Sequence, residues 1–226
     1  MQYLNDASFR ILSLGNIVEC IREQRTFPEK ALAITFDDGF RNFYQVAFPV
    51  LKKLRFTATV FLVTGHCGKS NDWERDHKEI PRLDLLSWEE IIEMSNEGIE
   101  FGSHGMTHRS FLKLNKEQVR KEIMDSKSTL QERLGKSNFL FAYPYGRQTK
   151  ETREMIAKEF EGACSTELGF VSLDSDLFSL PRIDMYYFSK NDFFSALETP
   201  AFPFYIRIRN LLRSLKNAGA DYTSKK

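Results

Sequence analysis

ALAITFDDG, residues 31–39, joins a short apolar run directly to a pair of adjacent carboxylates. The apolar part, Ala31–Phe36, has the length and composition of a buried strand. Further runs of this kind follow along the chain, separated by longer segments of helical periodicity. These runs are Thr57–Val63, Ile99–Gly102, Phe139–Ala142, Gly162–Ser165 and Leu180–Ile183. Such alternation predicts a parallel sheet with crossover helices.

The predicted helices begin and end at recognisable signals. Ser87, with Glu90 three residues later, forms a capping-box pattern, and Gly98 follows the expected end of that helix near Asn96. The other predicted helices are Asn42–Leu54, Asn115–Leu134, Thr149–Phe160 and Phe204–Asn217. We expect one α/β domain over residues 1–226, with a core at about 28–185 and a C-terminal helix at about 204–217. The regular alternation of predicted strands and helices favours a βα barrel, and an open doubly wound sheet is the alternative.

The composition limits the classes of partner and compartment. With 32 Lys or Arg against 31 Asp or Glu, the formal net charge is +1, which argues against a nucleic-acid partner. Cys20, Cys67 and Cys164 outline neither a disulfide framework nor a CxxC zinc site, so we expect small buried hydrophobic residues. No signal peptide or membrane-spanning run is visible. We therefore expect a cytoplasmic protein, or one of the cell envelope if a targeting segment lies outside this sequence.

Two adjacent acids, Asp37 and Asp38, end the first strand. Neighbours on an extended chain point to opposite sides, so one carboxylate could bind a metal while the other handles protons. An exposed turn or a helix N-cap is the alternative interpretation, because Asp-Gly is common in turns.

SHGMTH, residues 103–108, places two of the four histidines in the chain at i and i+4. On a helical turn this spacing puts both imidazoles on one face, where they could bind one divalent ion. One carboxylate and two imidazoles leave a coordination position open for water, as in catalytic metal sites. The second acid would then be a general base, and the predicted reaction class is metal-assisted hydrolysis of an acyl group.

A third segment, FAYPYG at residues 141–146, runs from a strand into a Pro-aromatic-Gly turn. Such a turn holds the backbone rigidly, and a backbone N–H there could face an oxyanion. A turn without a chemical role is the alternative.

In this order, TFDDG, SHGMTH and YPYG resemble the motifs of the polysaccharide deacetylase family, also called NodB-homology proteins or family-four carbohydrate esterases. The likeness runs from about Pro28 to Asp184. It implies a distorted (β/α)7 barrel and a divalent metal ion, zinc in the first place, with Co2+ or Ni2+ as alternatives. It also implies an N-deacetylase that releases acetate from N-acetylated glycans such as chitin oligomers, peptidoglycan or exopolysaccharide.

The resemblance also implies roles for single residues. Asp37 corresponds to the catalytic base of the family. Asp38, His104 and His108 correspond to its metal ligands, and Tyr145 to the residue whose backbone N–H helps to hold the oxyanion.

The sequence departs from the family pattern in three places. Gly105 replaces the Ser or Thr that usually follows the first histidine. Ala142 replaces an Arg that pairs with the catalytic Asp; Arg182 is the candidate substitute, and an ordinary surface arginine is the alternative. No histidine follows His108 to protonate the leaving amine. His66 could do so, although a solvated loop histidine is the alternative.

Two further segments bear on partners. The long loop Thr64–Leu86 is expected to shape the substrate groove, where Trp73 or Trp88 could stack on a sugar or pack in the core. The predicted C-terminal helix is amphipathic and basic. We favour packing of this helix against the barrel over contact with an anionic membrane surface.

Two other functions are compatible with these residues. A weakened homologue would bind metal and glycan without efficient turnover, as Ala142 and the absent late histidine suggest. The same metal ligands could also serve an O-acetyl esterase or a small-amide hydrolase.

Overall fold

The computed structural model describes residues 1–74, 81–185, 195–199 and 201–210. Its main sheet has six parallel strands, and a small separate sheet has two. The strands are β1 Arg10–Leu12, β2 Ala31–Ala33, β3 Thr35–Phe36, β4 Thr59–Leu62, β5 Glu100–Ser103, β6 Leu140–Ala142, β7 Gly162–Leu168 and β8 Leu180–Arg182. The main sheet has the order β3-β4-β5-β6-β7-β8, and β1 pairs with β2.

Helices connect most of the strands. They are α1 Gln2–Asp6, α2 Leu14–Arg22, α3 Phe48–Leu54, α4 Trp88–Asn96, α5 Lys116–Leu134 and α6 Lys150–Glu159, and residues 201–210 are also helical. Short 3₁₀ turns are Thr64–His66, Asp72–Glu74, Phe111–Lys113, Pro144–Gly146 and Ser195–Glu198. Within the described part of the chain, no helix has the length and apolar character needed to cross a membrane.

The strand order distinguishes a barrel from a doubly wound sheet. A doubly wound sheet reverses its strand order at a switch point, whereas β3 to β8 follow the chain order without reversal. The two edge strands also meet: Arg182 on β8 donates a hydrogen bond to Thr35 Oγ1 on β3, at 3.3 Å. The sheet is therefore curled into a distorted βα barrel. The barrel prediction is confirmed, and the doubly wound alternative is wrong.

The sheet is apolar on both faces, as expected for parallel strands covered on each side. Its convex face packs against α3 to α6, and its concave face packs against α2. Convex-side core residues include Leu51, Val60, Leu62, Ile91, Met94, Phe101, Ile123, Phe141 and Ile156. Concave-side core residues include Leu14, Ile17, Val18, Ile21, Phe61, Leu140, Ala142, Cys164 and Leu180. Helix α2 thus fills one end of the barrel.

The helix signals in the sequence correspond to real caps. Ser87 and Glu90 form the predicted capping box at the start of α4. Asn115 and Gln118 form another at the start of α5, and Gly135 ends that helix in the left-handed conformation, at φ 64°. These signals are local, so neighbouring residues are enough to determine them.

Before residue 55, three segments differ from the prediction. The run Ala31–Phe36 is two short strands, because β2 pairs with β1 whereas β3 pairs with β4. Residues 43–47 form a π-helical turn before α3, because Pro49 has no N–H to continue a regular ladder. No element was assigned before Pro28, yet α1, β1 and α2 lie there.

The C-terminal helix begins earlier than predicted, at residue 201. Phe202 and Ile206 are buried against Leu168 of β7, so this part of the helix packs on the barrel as favoured. The predicted continuation from residue 211 to Asn217 lies outside the described residues, and contact with a membrane stays untested.

The α5 capping box yields a stability prediction. Asn115→Ala removes the acceptor for the Gln118 N–H, which lies 2.9 Å from Asn115 Oδ1. We expect the free energy of unfolding to fall by about 1 kcal/mol in urea denaturation. Asn115→Asp is the matched control, because it keeps an acceptor and should remain near wild type. Equal losses in both variants would contradict the capping role.

Candidate active site

The three polar motifs converge at the carboxyl ends of the strands. Asp37 and Asp38 follow β3, His104 follows β5 and Tyr145 follows β6. These ends lie at one rim of the barrel, where parallel α/β proteins place their reactive groups. The sheet thus brings together residues that are more than one hundred positions apart in the chain.

Asp38, His104 and His108 form a group with metal-binding geometry. One ligand atom from each lies within 4.8 Å of the others, and the group is largely buried. Asp38 Oδ1 lies 3.5 Å from His104 Nε2 and 3.3 Å from His108 Nε2. The predicted ligands are therefore all in one place, with both imidazoles presenting the same ring nitrogen.

The surroundings of the two histidines fit a borderline divalent ion. His104 Nδ1 donates to the Ala142 carbonyl at 2.7 Å, which directs the lone pair of Nε2 towards Asp38. Burial lowers the pKa of His108 to about 3, with a further contribution from neighbouring His104, so its ring is neutral. Imidazole nitrogens and a carboxylate oxygen are ligands that zinc and similar ions accept.

Three residues at this rim have a strained backbone conformation. Asp38, His108 and Tyr145 are non-glycine residues in the left-handed region, with φ values of 70°, 57° and 58°. A residue with a Cβ in this region costs roughly 1–2 kcal/mol, so the surrounding contacts must hold it there. The strained residues are two of the three metal-ligand candidates and the predicted oxyanion residue.

Asp37 is paired with Arg182 through two parallel hydrogen bonds. Arg182 Nη1 lies 2.7 Å from Asp37 Oδ1, and Nη2 lies 2.8 Å from Oδ2. Burial disfavours the Asp37 carboxylate, but the Arg182 guanidinium and His104 outweigh it and hold the pKa of Asp37 below its ordinary value. Arg182 is therefore a largely buried partner of Asp37 and not an ordinary surface arginine. Its role as the substitute for the Arg that Ala142 replaces stays a prediction.

Tyr145 lies over the metal-ligand group. Its ring is half exposed, and its centroid is 4.6 Å from that of His108. The turn that carries it, Pro144–Gly146, follows β6 directly, and the φ of 58° turns the chain sharply at Tyr145. Donation from the Tyr145 N–H to an oxyanion stays a prediction.

The Trp73 ring lies between His66 and the metal-ligand group. His66 Nδ1 is 3.0 Å from Asp72 Oδ1, and the His66 ring packs edge-on against Trp73 with centroids 5.0 Å apart. Trp73 in turn lies 5.0 Å from the His108 ring. His66 is thus near the site without contacting the ligands, and its role as a general acid stays a prediction.

The loop Thr64–Leu86 borders an open cavity. Its two ends pair with each other: Gly68 N donates to Leu86 O at 2.8 Å, and Leu85 N donates to Lys69 O at 2.9 Å. A cavity of about 640 Å³ lies between these ends and Arg41. The lining of this cavity includes none of the metal-ligand candidates, so a substrate groove shaped by the loop stays a prediction. Trp88 packs on the core instead. The fourth histidine of the chain, His77 in the same loop, lies outside the described residues.

One carboxylate near the site was not identified from the sequence. Glu122 on α5 is buried and accepts hydrogen bonds from the segment between His104 and His108. No motif marks it. The available signal was its position among the apolar residues of the inner face of α5, between Val119 and Ile123.

Comparisons with known proteins place this geometry in context. A family model described as polysaccharide deacetylase matches residues 24–160. YxkH of Bacillus subtilis (strain 168) is 30% identical over 184 residues, which cover 81% of this chain and 61% of that protein. A poly-beta-1,6-N-acetyl-D-glucosamine N-deacetylase of Staphylococcus aureus (strain MRSA252) is 30% identical over 172 residues, which cover 72% of this chain and 57% of that protein.

A solved structure agrees with the fold. The Streptococcus pyogenes deacetylase PplD in complex with acetate is 27% identical, with a TM-score of 0.70 over 80% of this chain and 76% of that chain. The chain spans about three fifths of the length of the two curated relatives, at 61% and 57%.

The metal-ligand assignment yields a binding prediction. His104→Ala removes one of three ligands, so we expect the purified variant to lose most of its zinc on dialysis, as measured by atomic absorption. His66→Ala is the matched control, because His66 is not one of the three and this variant should retain zinc. Retention of zinc by both variants would refute the assignment.

Proposed function

Because the chain belongs to the polysaccharide deacetylase family, we propose that it is a metal-dependent hydrolase that removes N-acetyl groups from N-acetylglucosamine polymers or oligomers and releases acetate. The name of the Staphylococcus aureus relative favours a β-1,6-linked N-acetylglucosamine polymer among the candidate glycans. A cytoplasmic location and the absence of a nucleic-acid partner stay predictions.

One observation carries the proposal. The Asp37 carboxylate, held ionised by Arg182, directly precedes Asp38, one of three residues with metal-binding geometry. A general base next to a three-ligand metal site is an arrangement that supports metal-assisted hydrolysis of an acyl group. Because Arg182 pairs with Asp37, the Ala142 substitution no longer argues for a homologue with weakened activity.

The metal ion is proposed to be zinc, with Co2+ or Ni2+ as alternatives, held by Asp38, His104 and His108. When bound, the ion would polarise the acetyl carbonyl and lower the pKa of water. The chain's own contribution is to keep the His108 imidazole neutral and to place Nε2 of both histidines close to Asp38.

The proton transfers are assigned to residues at the rim. Asp37 accepts a proton from the attacking water while the water oxygen forms a bond to the acetyl carbon. Each carboxylate oxygen has two lone pairs, so the two bonds from Arg182 leave acceptor capacity on Asp37. The Tyr145 N–H donates to the oxyanion, and the C–N bond then breaks. His66 is the candidate that gives a proton to the leaving amine.

Substrate profiling tests the function. The full chain is stripped with EDTA and assayed for acetate release from β-1,6- and β-1,4-linked N-acetylglucosamine oligomers and peptidoglycan fragments, with zinc, cobalt or nickel restored. Metal-dependent release from any of these glycans supports the proposal. Release from O-acetylated glycans alone would favour an esterase. No release despite bound metal would favour a glycan-binding homologue.

Removing the base separates turnover from metal binding. Asp37→Asn keeps the size of the side chain but lacks the carboxylate that accepts the proton. We expect at least a 10²-fold loss of kcat, in the range of general-base catalysis, with zinc content unchanged. His104→Ala, which we expect to lose both zinc and turnover, is the comparison. Wild-type turnover in Asp37→Asn would refute the role of Asp37 as base.

Arg182 should control the acid limb of the pH profile. The pKa of Asp37 is lowered in the folded protein, so the carboxylate stays ionised until the pH falls through that lowered value. Arg182→Gln removes the positive charge, so Asp37 should become protonated at higher pH. We expect the acid limb of log(kcat/KM) to move to higher pH.

Arg182→Lys is the control for this effect. It keeps the charge but loses the paired hydrogen bonds, so its acid limb should lie between those of wild type and Arg182→Gln. A uniform loss of activity with an unmoved limb would mean that Arg182 acts only on stability.

A further inference from the structure

The segment between the two histidines is held from one side by a single carboxylate. Glu122 Oε2 accepts hydrogen bonds from the N–H groups of Met106 and Thr107, at 2.8 and 2.9 Å. Its Oε1 accepts from Thr107 Oγ1 at 2.5 Å. Glu122 is only 8% exposed, so these bonds form away from bulk water, where a charged acceptor binds N–H groups most strongly.

The opposite side of this segment is held by its carbonyl groups. Thr64 N donates to Gly105 O at 3.1 Å, and Gly65 N donates to Met106 O at 3.0 Å. The segment is therefore clamped between the turn after β4 and helix α5. The turn holds the carbonyl groups, and Glu122 holds the N–H groups.

Gly105 and Glu122 are matched in shape. Gly105 has a φ of 81°, and a Cβ added there would lie 3.3 Å from Glu122 Oε2. A Ser or Thr at position 105, as the family usually has, would thus place its side chain close to the buried Glu122 carboxylate. The Gly105 N–H donates a hydrogen bond to Ser103 Oγ at 3.1 Å, so the backbone at Gly105 is also held by a side chain. The departure at Gly105 therefore does not leave the segment unsupported.

The clamp acts on His108 more than on His104. The His104 ring is held independently by the Ala142 carbonyl. His108 directly follows Thr107 and has the costly φ of 57°. The bonds at Met106 and Thr107 therefore fix the backbone from which the His108 side chain extends towards Asp38, and aromatic rings pack against the His108 ring itself.

We propose that Glu122 is a positioning residue that holds His108 in metal-binding geometry through the backbone of residues 106 and 107. This inference rests on the proposed metal site. Glu122 touches neither the ion nor the substrate in this role. Loss of an outer partner of this kind typically weakens metal binding by about 10–100-fold.

Three variants on α5 test the role of Glu122. Glu122→Met keeps the length of the side chain but offers no acceptor, and Glu122→Gln keeps one amide oxygen without the charge. Glu132→Gln, on the exposed side of the same helix, is the matched control. Zinc affinity is measured on the EDTA-treated full chain by competition with a chromophoric chelator, alongside far-UV circular dichroism and Tm in EDTA.

We expect Glu122→Met to bind zinc about 10–100-fold more weakly, Glu122→Gln to be intermediate, and Glu132→Gln to match wild type. The visible spectrum of the Co2+-loaded Glu122→Met protein should also change, because the ligand geometry changes. A purely structural role would lower Tm in EDTA while leaving both the affinity and the spectrum unchanged.

A folded Glu122→Met protein with wild-type zinc affinity would overturn the proposal. If Glu122→Met does not fold, wild-type affinity in Glu122→Gln would overturn it. His104→Ala is measured in parallel to distinguish the two failures. Undiminished zinc binding in His104→Ala would overturn the metal site itself, whereas loss of zinc there with no effect at Glu122 would overturn only the positioning role.

Discussion

The ion pair between Arg182 and Asp37 connects the two edges of the main sheet. Arg182 lies on β8 and Asp37 follows β3, and these are the first and last strands in the order. The Arg182 Nε also donates to Ser165 O on β7 at 3.0 Å, and the guanidinium lies 5.9 Å from the centroid of the Phe61 ring on β4. One side chain on β8 thus contacts three other strands, β3, β4 and β7. The curl of the barrel and the charge state of the proposed base depend on the same contact.

At the rim, three site residues have backbone conformations that differ from their local preference. Asp38, His108 and Tyr145 adopt conformations that an isolated chain would rarely populate. They persist because rigid elements surround them: β3 before Asp38, the clamped segment before His108 and the β6 strand before Tyr145. Strain of this kind is common at functional sites, where the surrounding structure over-determines the backbone. The ligand geometry is therefore a property of the whole rim.

Helix α5 shows how a single element serves both the core and the rim. Its inner face packs Val119, Ile123 and Leu130 against the sheet. The same face carries Glu122 and Ser126, and Ser126 Oγ lies 2.8 Å from Ser103 Oγ at the end of β5. The apolar residues determine where the helix lies, and the polar residues then reach the chain on either side of His104. The same face of α5 therefore makes both the apolar contacts of the core and the polar contacts near the site.

The sequence by itself determined the elements whose signals are local. The capping boxes at Ser87 and Asn115 depend on residues three positions apart, and the strand ends before Asp37 and His104 depend on short apolar runs. The motif residues were identifiable for the same reason, since each motif lies within a few positions. Only the tertiary structure decided which strands become neighbours, and hence that Arg182 meets Asp37 across 145 positions. It also decided that Glu122 reaches the segment before His108. Such contacts depend on the register and curl of the whole sheet, which no local pattern of residues encodes.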